Sequence, residues 1–477
     1  MQKLIRSWVP MTSKDATFPK TSLPAAAEDI LYHQNLRLDS NPRMKGVGSL
    51  MKWIVRPSKL KGSIDIPSSK SHTIRSLVIS TLASGTSRIR KPLLTGDGAS
   101  ALGAARSLGA QVDFSGDLLT VTGCGGNFDS GEELFDMGNS GTGTNLFTSV
   151  AALGTRRRRF DGDNSLRSRP FHYLLDALVP LGATYVRERE DGDLPFVISG
   201  PLRGGKTTVN GVSSQFVSSL LFSCPLIDGE GTDITVVNLQ EVPYIEITLW
   251  WLERQGIKLE HAPDYSHFFV PGRQAYTPFE MAVPADFSSA TFAAVGAALT
   301  GGPVMLMGLD FSDPQGDKGV FDVLKGAGAV IDHGDTGVTV RTGGNLQGNV
   351  IDLNAMPDSL PAMAVLSCVT EGETCLTNIA HARIKETDRI VVMREELTKM
   401  GADIREVGDE LFIRKSSLHG AAVNGHDDHR VVMALALAGC IASGETVIET
   451  AEAANVTYPS FVEDFRALGA SIEVVEE

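Results

Sequence analysis

Six times along the chain a short polar cluster gives way to apolar residues recurring at helical spacing. The segments are SSKSHTIRSLVIS, GNSGTGTNLF, VSSQFVSSLLF, ADFSSATFAAV, PDSLPAMAVLS and HDDHRVVMALALA. Reference positions within them, Lys70, Asn139, Ser213, Asp286, Asp358 and Asp428, are spaced 69, 74, 73, 72 and 70 residues apart. Ser, Asn, Asp or Gly ahead of an apolar run predicts a helix N-cap, because the side chain accepts from free N–H groups of the first turn. In the first segment Ile74, Leu77, Val78 and Leu82 fall at i, i+3, i+4 and i+8, which predicts one apolar face.

A second series closes helices. Gly109, Gly182, Gly256, Gly328, Gly401 and Gly469 each follow a helix-like stretch and precede alternating apolar and polar residues, as in SLGAQVDF and ALGASIEV; their separations are 73, 74, 72, 73 and 68. Glycine just past a helix end predicts a left-handed cap, and the alternation predicts a strand. The chain therefore reads as six α/β units of about 70 residues. Each begins a helix with polar residues at the same place. Helix starts are partly positive and carry unpaired N–H groups, so several that converge would form an anion site. The repeat does not say which helices converge.

Composition narrows this picture. The 477 residues give room for two to four domains. Glycine is abundant at 49 residues, in keeping with many turns and close backbone approaches. The net charge of −14 argues against a general nucleic-acid binder, which needs a basic face. The longest clean apolar run, Val431 to Ala442, has twelve residues, short of the ~18 that would suggest a membrane span. Residues 1–50 hold seven Lys/Arg against four Asp/Glu, without clear periodicity, and read as a poorly ordered extension outside the fold. MQKLIRSWVP lacks the apolar core of a secretory signal, and the acidic residues argue against a transit peptide. Met51 opens the first strand, WIVRP, and is an alternative start. Five scattered cysteines with no C-x-x-C fit reduced thiols in the cytoplasm and offer no zinc site.

Cations gather beside the helix starts. SSKSHTIR offers Lys70, Ser71 and Arg75; NSLRSRP offers Arg167 and Arg169; ARIKETDR offers Arg383, Lys385, Glu386, Asp388 and Arg389; HDDHR offers His429 and Arg430. Arginine binds phosphate or carboxylate through two N–H groups, and lysine acts as a point charge. Asp358 in PDS is a candidate acid or base. Taken alone, KETDR reads as a solvated helix with pairs such as Lys385 with Asp388. The run RRRR at 156–159 reads as exposed. No P-loop or dinucleotide fingerprint is present. His426 and His429, with Asp427 and Asp428, read as a helix start rather than a metal site.

Taken together, IPSSKSHTIRSL, GNSGT, RSRP, SSQF, PYIEITL, DFSSA, PD, RIKETDR, DDHR and TYPSF resemble, in this order, the EPSP synthase family of 3-phosphoshikimate 1-carboxyvinyltransferases. The resemblance runs from about residue 52 to the C-terminus. It implies an α/β (α+β) fold: a two-domain inside-out α/β barrel of six βαββαβ-type repeats. One domain would comprise 51–67 plus 287–477, the other 68–286, with helix starts facing the cleft. The implied reaction transfers the enolpyruvyl group of phosphoenolpyruvate to the 5-hydroxyl of shikimate 3-phosphate by addition and elimination, releasing phosphate, on the shikimate pathway to chorismate and aromatic amino acids. No cofactor or metal is implied, nor any nucleic-acid or membrane partner. A cytoplasmic monomer, of a family that glyphosate targets, is expected.

Carried over by resemblance, shikimate 3-phosphate would meet Ser71, Arg75, Ser213, Ser214, Tyr244, Asp358 and Lys385, with the two serines of the SSQF string and Lys385 on its phosphate. Phosphoenolpyruvate would meet Lys70, Asn139, Gly141, Arg169, Gln215, Glu386, Arg389 and Arg430. Asp358 would take the 5-hydroxyl proton, Lys70 and Glu386 would donate to the methylene carbon, and His429 would support them. Four positions depart from the family pattern: Asn145 and Val456 stand where a basic residue is often found, Glu241 replaces a serine near the phosphate, and His381 replaces Asn or Glu. Together they remove up to two positive charges and add a negative one.

Three rival readings remain. The sister transferases acting on UDP-N-acetylglucosamine carry a cysteine where this chain has Asn164 in DGDNSLRSRP. An acceptor from a secondary pathway is kept open by Glu241 and His381. A non-catalytic anion-binding paralogue would not need Asp358 and Glu386 beside Lys70 and Arg389.

Overall fold

The alternation in MKWIVR places Trp53 and Val55 inward, and this strand, Met51–Arg56, lies between Thr446–Glu449 and Ser471–Glu476, antiparallel to both. The computed structural model describes residues 51–476; the extension read at 1–50 lies outside them. The architecture is mixed α/β, with six four-stranded sheets among the described residues. Every sheet has one parallel pair continued by two antiparallel neighbours.

A parallel pair needs a crossover, usually helical. In four units this is local: Gly205–Asn210 passes through the helix Ser214–Ser223 into Gly231–Val237, its parallel neighbour. Leu134–Asp136, Val350–Asp352 and Ala422–Asn424 behave alike. In the other two units the entering strand is exchanged. Gly62–Asp65 leads into the helix Lys70–Leu82 but pairs with Val304–Met307. Glu280–Ala282 leads into the helix Phe287–Thr300 but pairs with Thr86–Arg90. The sixth sheet takes its remaining strand from Met51–Arg56.

The exchange divides the packing between two apolar cores. One is built from Trp53–Ile66 and Phe287–Ile472, the other from Ile74–Val283. The chain passes between them twice, and the two passages are bonded together: Ser69 N donates to Pro284 O at 2.8 Å, and Asp286 N to Pro67 O at 2.8 Å.

The crossover helices are not one-faced. Lys70–Leu82 buries every residue but Ser71, so the Ile74 stripe is only part of its contact surface. His429–Ile441 is similarly enclosed. Both have sheet on one side and other helices on the rest, and their Ser, Thr, Ala and Gly residues allow close approach. Ser219 shows the consequence: its hydroxyl donates to Asn145 O on the neighbouring helix at 2.5 Å.

All six repeat glycines have positive φ, between 70° and 105°. They sit where the chain must turn left-handed to leave its helix, at no steric cost to glycine. The run 156–159 differs from its expectation as an exposed segment. Arg158 is fully buried, its guanidinium donating to Phe128 O at 3.0 Å and to the carbonyls of Ser130 and Glu132. Strand alternation turns it inward, and loop carbonyls replace its water.

Candidate active site

Five of the six polar clusters do cap helices. Ser69, Ser140, Ser213, Asp286 and Asp428 accept from backbone N–H groups of the helices they precede. Asp358 does not. It lies in the 3-10 turn Pro357–Ser359, and its carboxylate points away to arginines. The helix starts at Lys70, Gly141 and Ser214 meet the turns carrying Asp358 and His381–Glu386 around one cleft.

One side of the cleft is built around Lys70, Glu386 and Arg169. Lys70 Nζ lies 3.1 Å from Asp97, a partner the sequence did not suggest. Glu386 is 2.8 Å from Arg389 and 3.9 Å from Arg169. Gly141 lines the same wall; a Cβ there would come within 2.7 Å of Arg169 Nη1, so a larger residue would displace the guanidinium. Gln215 accepts from Asn145 Nδ2 at 2.8 Å. Asn139 stands behind the wall, receiving Arg169 Nη2 and donating to Asp163 at 2.7 Å.

Asp358 joins this side to the other. Arg389 Nη1 donates to it at 2.8 Å, Arg430 Nη2 at 3.4 Å, and the Tyr244 hydroxyl lies 3.5 Å away. Arg389 and Arg430 are buried, each 1% exposed. They form a layer behind the two carboxylates rather than the cleft surface. Arg430 Nε and Nη1, Arg169 Nε and His429 Nε2 have no hydrogen-bond partner. Unused donors of buried arginines favour an anion, because an unmade charged hydrogen bond is costly.

Beyond Tyr244 lie Ser71, Arg75, Ser213, Ser214, Lys385 and Glu241. Arg75 is spent on the protein itself, donating to Thr248 Oγ1 at 3.0 Å, Ser71 O at 3.1 Å and Tyr244 O at 3.0 Å. Lys385 pairs with Glu241 rather than Asp388. Asp388 instead caps the helix Arg389–Lys399, which begins later than the KETDR pattern suggested. Arg167 and Arg383 pair with surface carboxylates and do not line the cleft.

The charges set one another. Burial would raise the Asp358 carboxyl, but Arg430, Arg389 and Lys70 overcome this and hold it well below the usual carboxylate range. Burial likewise opposes ionisation of Glu386, and Arg389 and Arg169 override it, keeping it ionised. Burial alone would lower the Lys70 ammonium; Asp97, Glu386 and Asp358 more than offset that, so it stays charged. Burial keeps His429 neutral, and lowers His381 to about 4 against the pull of Glu241. Asp317, which the sequence did not single out, is pushed up to about 7 by burial and by Asp358. It accepts from the Tyr244 hydroxyl at 3.1 Å. The facing pair thus holds one carboxylate ionised and one prone to protonation.

Among the described residues no group of three or more His, Cys, Asp or Glu is placed to hold a metal ion, all five cysteines are free, and no helix is long and apolar enough to cross a membrane. The family model for EPSP synthase (3-phosphoshikimate 1-carboxyvinyltransferase) matches residues 54–465. The chain belongs to the EPSP synthase family. A 3-phosphoshikimate 1-carboxyvinyltransferase of Ruminiclostridium cellulolyticum is 49% identical over 421 residues, covering 88% of this chain and 99% of the relative. One from Methanocella arvoryzae is 41% identical over 422 residues, again 88% of this chain and 99% of the relative. The solved EPSP synthase of Acinetobacter baumannii superposes with a TM-score of 0.75 at 27% identity, covering 89% of this chain and all of that one. An enolpyruvyl transferase of Streptomyces tendae, 18% identical, shares the fold with a TM-score of 0.71, covering 90% of this chain and all of that one.

Proposed function

We propose that this chain is a 3-phosphoshikimate 1-carboxyvinyltransferase, moving the enolpyruvyl group of phosphoenolpyruvate onto the 5-hydroxyl of shikimate 3-phosphate. The family match supports the reaction. The observation that carries the mechanism is an ionised Asp358 and a charged Lys70 in one cleft, backed by arginine donors without partners.

Asp358 takes the proton of the 5-hydroxyl while that oxygen bonds to C2 of phosphoenolpyruvate. Lys70 gives a proton to C3, completing the tetrahedral intermediate. Glu386 then takes a proton from C3 as phosphate leaves C2, restoring the double bond in the product. Arg169 and Arg430 offer the anion their unpartnered donors, and Arg389, whose nitrogens already meet Asp358, Glu386 and Asp428, adds its charge from behind, with Gly141 allowing the close approach. Glu386 is ionised in the free chain, so it accepts before it donates. A bound phosphate or carboxylate would share Arg389 and Arg169 and raise its proton affinity. His429, neutral and buried behind Glu386, fits a positioning role. Ser71, Arg75, Ser213, Ser214, Tyr244 and Lys385 form the acceptor side, while Gln215 and Asn139 support the phosphoenolpyruvate side.

We read 51–67 with 287–477 as one domain and 68–286 as the other, acting as a cytoplasmic monomer that closes over both substrates and excludes water. The two bonded passages are the natural hinge. The test is phosphate release from purified protein. Release is expected only with both shikimate 3-phosphate and phosphoenolpyruvate. Release with UDP-N-acetylglucosamine in place of the shikimate compound, and none with it, would overturn the reading.

A further inference from the structure

Glu241 is an anion already seated in an anion site. Its carboxylate is buried, 2% exposed, and paired to Lys385. Oε2 also accepts from Ser214 Oγ at 3.0 Å, Ser214 N at 3.3 Å and Ser213 Oγ at 3.5 Å. A lysine, two hydroxyls and a free backbone N–H at the start of the ten-residue helix Ser214–Ser223 make a typical set for one phosphate group. The imidazole of His381 faces the same cleft, is 2% exposed, and leaves Nε2 without a partner.

Nothing about the local chain requires Glu241 to sit there. It stands at the N-cap of the helix Val242–Arg254 yet makes no capping bond to it. Its φ is +56°, a conformation unfavourable for a residue with a side chain. The backbone N–H is held at 3.2 Å by Asn354 Oδ1, whose amide in turn donates to Gln240. Asn354 and Lys385 both belong to the chain after residue 287, so Glu241 fastens one core to the other across the cleft. His381 is neutral near pH 7 and brings no second positive charge. An incoming phosphate and the Glu241 carboxylate would therefore compete for Lys385, and repel one another if both stayed.

We propose that Glu241 is a specificity-determining residue: its carboxylate occupies the seat of the acceptor's phosphate and must be displaced before a phosphorylated acceptor binds. This weakens the enzyme's preference for a phosphorylated acceptor over the same ring without phosphate. The proposal rests on the transferase reading above, so the test separates the two.

The experiment compares the full-length chain with Glu241→Ser and with Glu241→Gln, which keeps the size and one acceptor oxygen but loses the charge. KM and kcat are measured with shikimate 3-phosphate and with shikimate, and the unfolding temperature with and without shikimate 3-phosphate alone. The expected result is a KM for shikimate 3-phosphate about ten-fold lower or better in both variants, with KM for shikimate changing much less. Their unfolding temperatures should rise further on adding shikimate 3-phosphate than that of the unaltered chain. An unchanged or higher KM for shikimate 3-phosphate, or an equal fall for both acceptors, would overturn the proposal.

If the unaltered chain shows no turnover, the transferase reading fails, and the thermal shift alone decides: a larger shift in the variants supports displacement, an equal one refutes it. Should neither variant fold, a crystal structure of the unaltered chain with shikimate 3-phosphate decides. The Glu241 carboxylate more than 4 Å from Lys385 Nζ, with phosphate in its place, supports the proposal; an intact pair refutes it.

Discussion

Arg389 donates to Asp358 at 2.8 Å from a position that is itself 1% exposed. A charge buried so deeply is held by the carboxylates around it, Asp428 at 2.8 Å among them, and holds Asp358 ionised in return. Asp358 is thus ionised in the free chain and open to receive a proton. Asp358→Asn keeps the size but removes the base. Turnover should fall by about 100-fold or more, with shikimate 3-phosphate affinity changed only a few-fold. Single-turnover kinetics beside equilibrium binding would check this; near-normal turnover removes Asp358 from proton transfer.

Lys70 owes its charge first to Asp97. Asp97→Asn withdraws the largest stabilising influence on the ammonium, so the Lys70 pKa should fall. If Lys70 is the proton donor, the alkaline limb of the kcat profile should move to lower pH. An unmoved limb would count against Lys70 as the titrating donor.

Asp317 is buried, with its folded pKa near 7 against an ordinary 3.8. The folded chain therefore holds a proton that the unfolded chain gives up earlier. The stability associated with that proton is fully present below 3.8 and lost as pH rises towards 7, after which the loss is constant. Asp317→Asn mimics the protonated form at every pH. Its unfolding temperature should exceed that of the unaltered chain by a few degrees at pH 8, with a smaller gain at pH 5. A gain independent of pH would show that Asp317 does not titrate in this window.

Met51–Arg56 is an interior strand of its sheet. A chain starting at Met51 should fold and keep its activity. One starting at Ser58 loses Trp53 and Val55 and splits the sheet between Thr446–Glu449 and Ser471–Glu476, so it should fail to fold. Circular dichroism with the phosphate-release assay distinguishes the two. Loss of folding in the Met51 chain would show that residues 1–50 contribute to the fold.

Much of this was legible before any coordinates. Helix starts and left-handed glycines are decided by bonds within a few residues, so Ser69, Ser140, Ser213, Asp286 and Asp428 and the six repeat glycines could be placed from spacing alone. Twelve of the sixteen residues carried over from the family line the cleft; seven of them, Lys70, Ser71, Arg75, Gly141, Ser213, Ser214 and Gln215, belong to those same helix starts. Asn139, His429, Arg389 and Arg430 stand behind it, a depth that sequence spacing does not encode.

What tertiary structure alone decided is pairing at a distance. The exchange of Gly62–Asp65 and Glu280–Ala282 between sheets leaves no local mark, since either strand would alternate identically in either sheet. Asp97 reaches Lys70 from the start of the helix Asp97–Ser107, Asp317 meets Tyr244 across 73 residues, and Glu241 meets Lys385 across 144. The sequence by itself determined six helix–strand units and the kinds of charge they carry. Which charge faces which, and so which carboxylate is ionised and which seat is already filled, depended on the cleft, where burial makes each partner count.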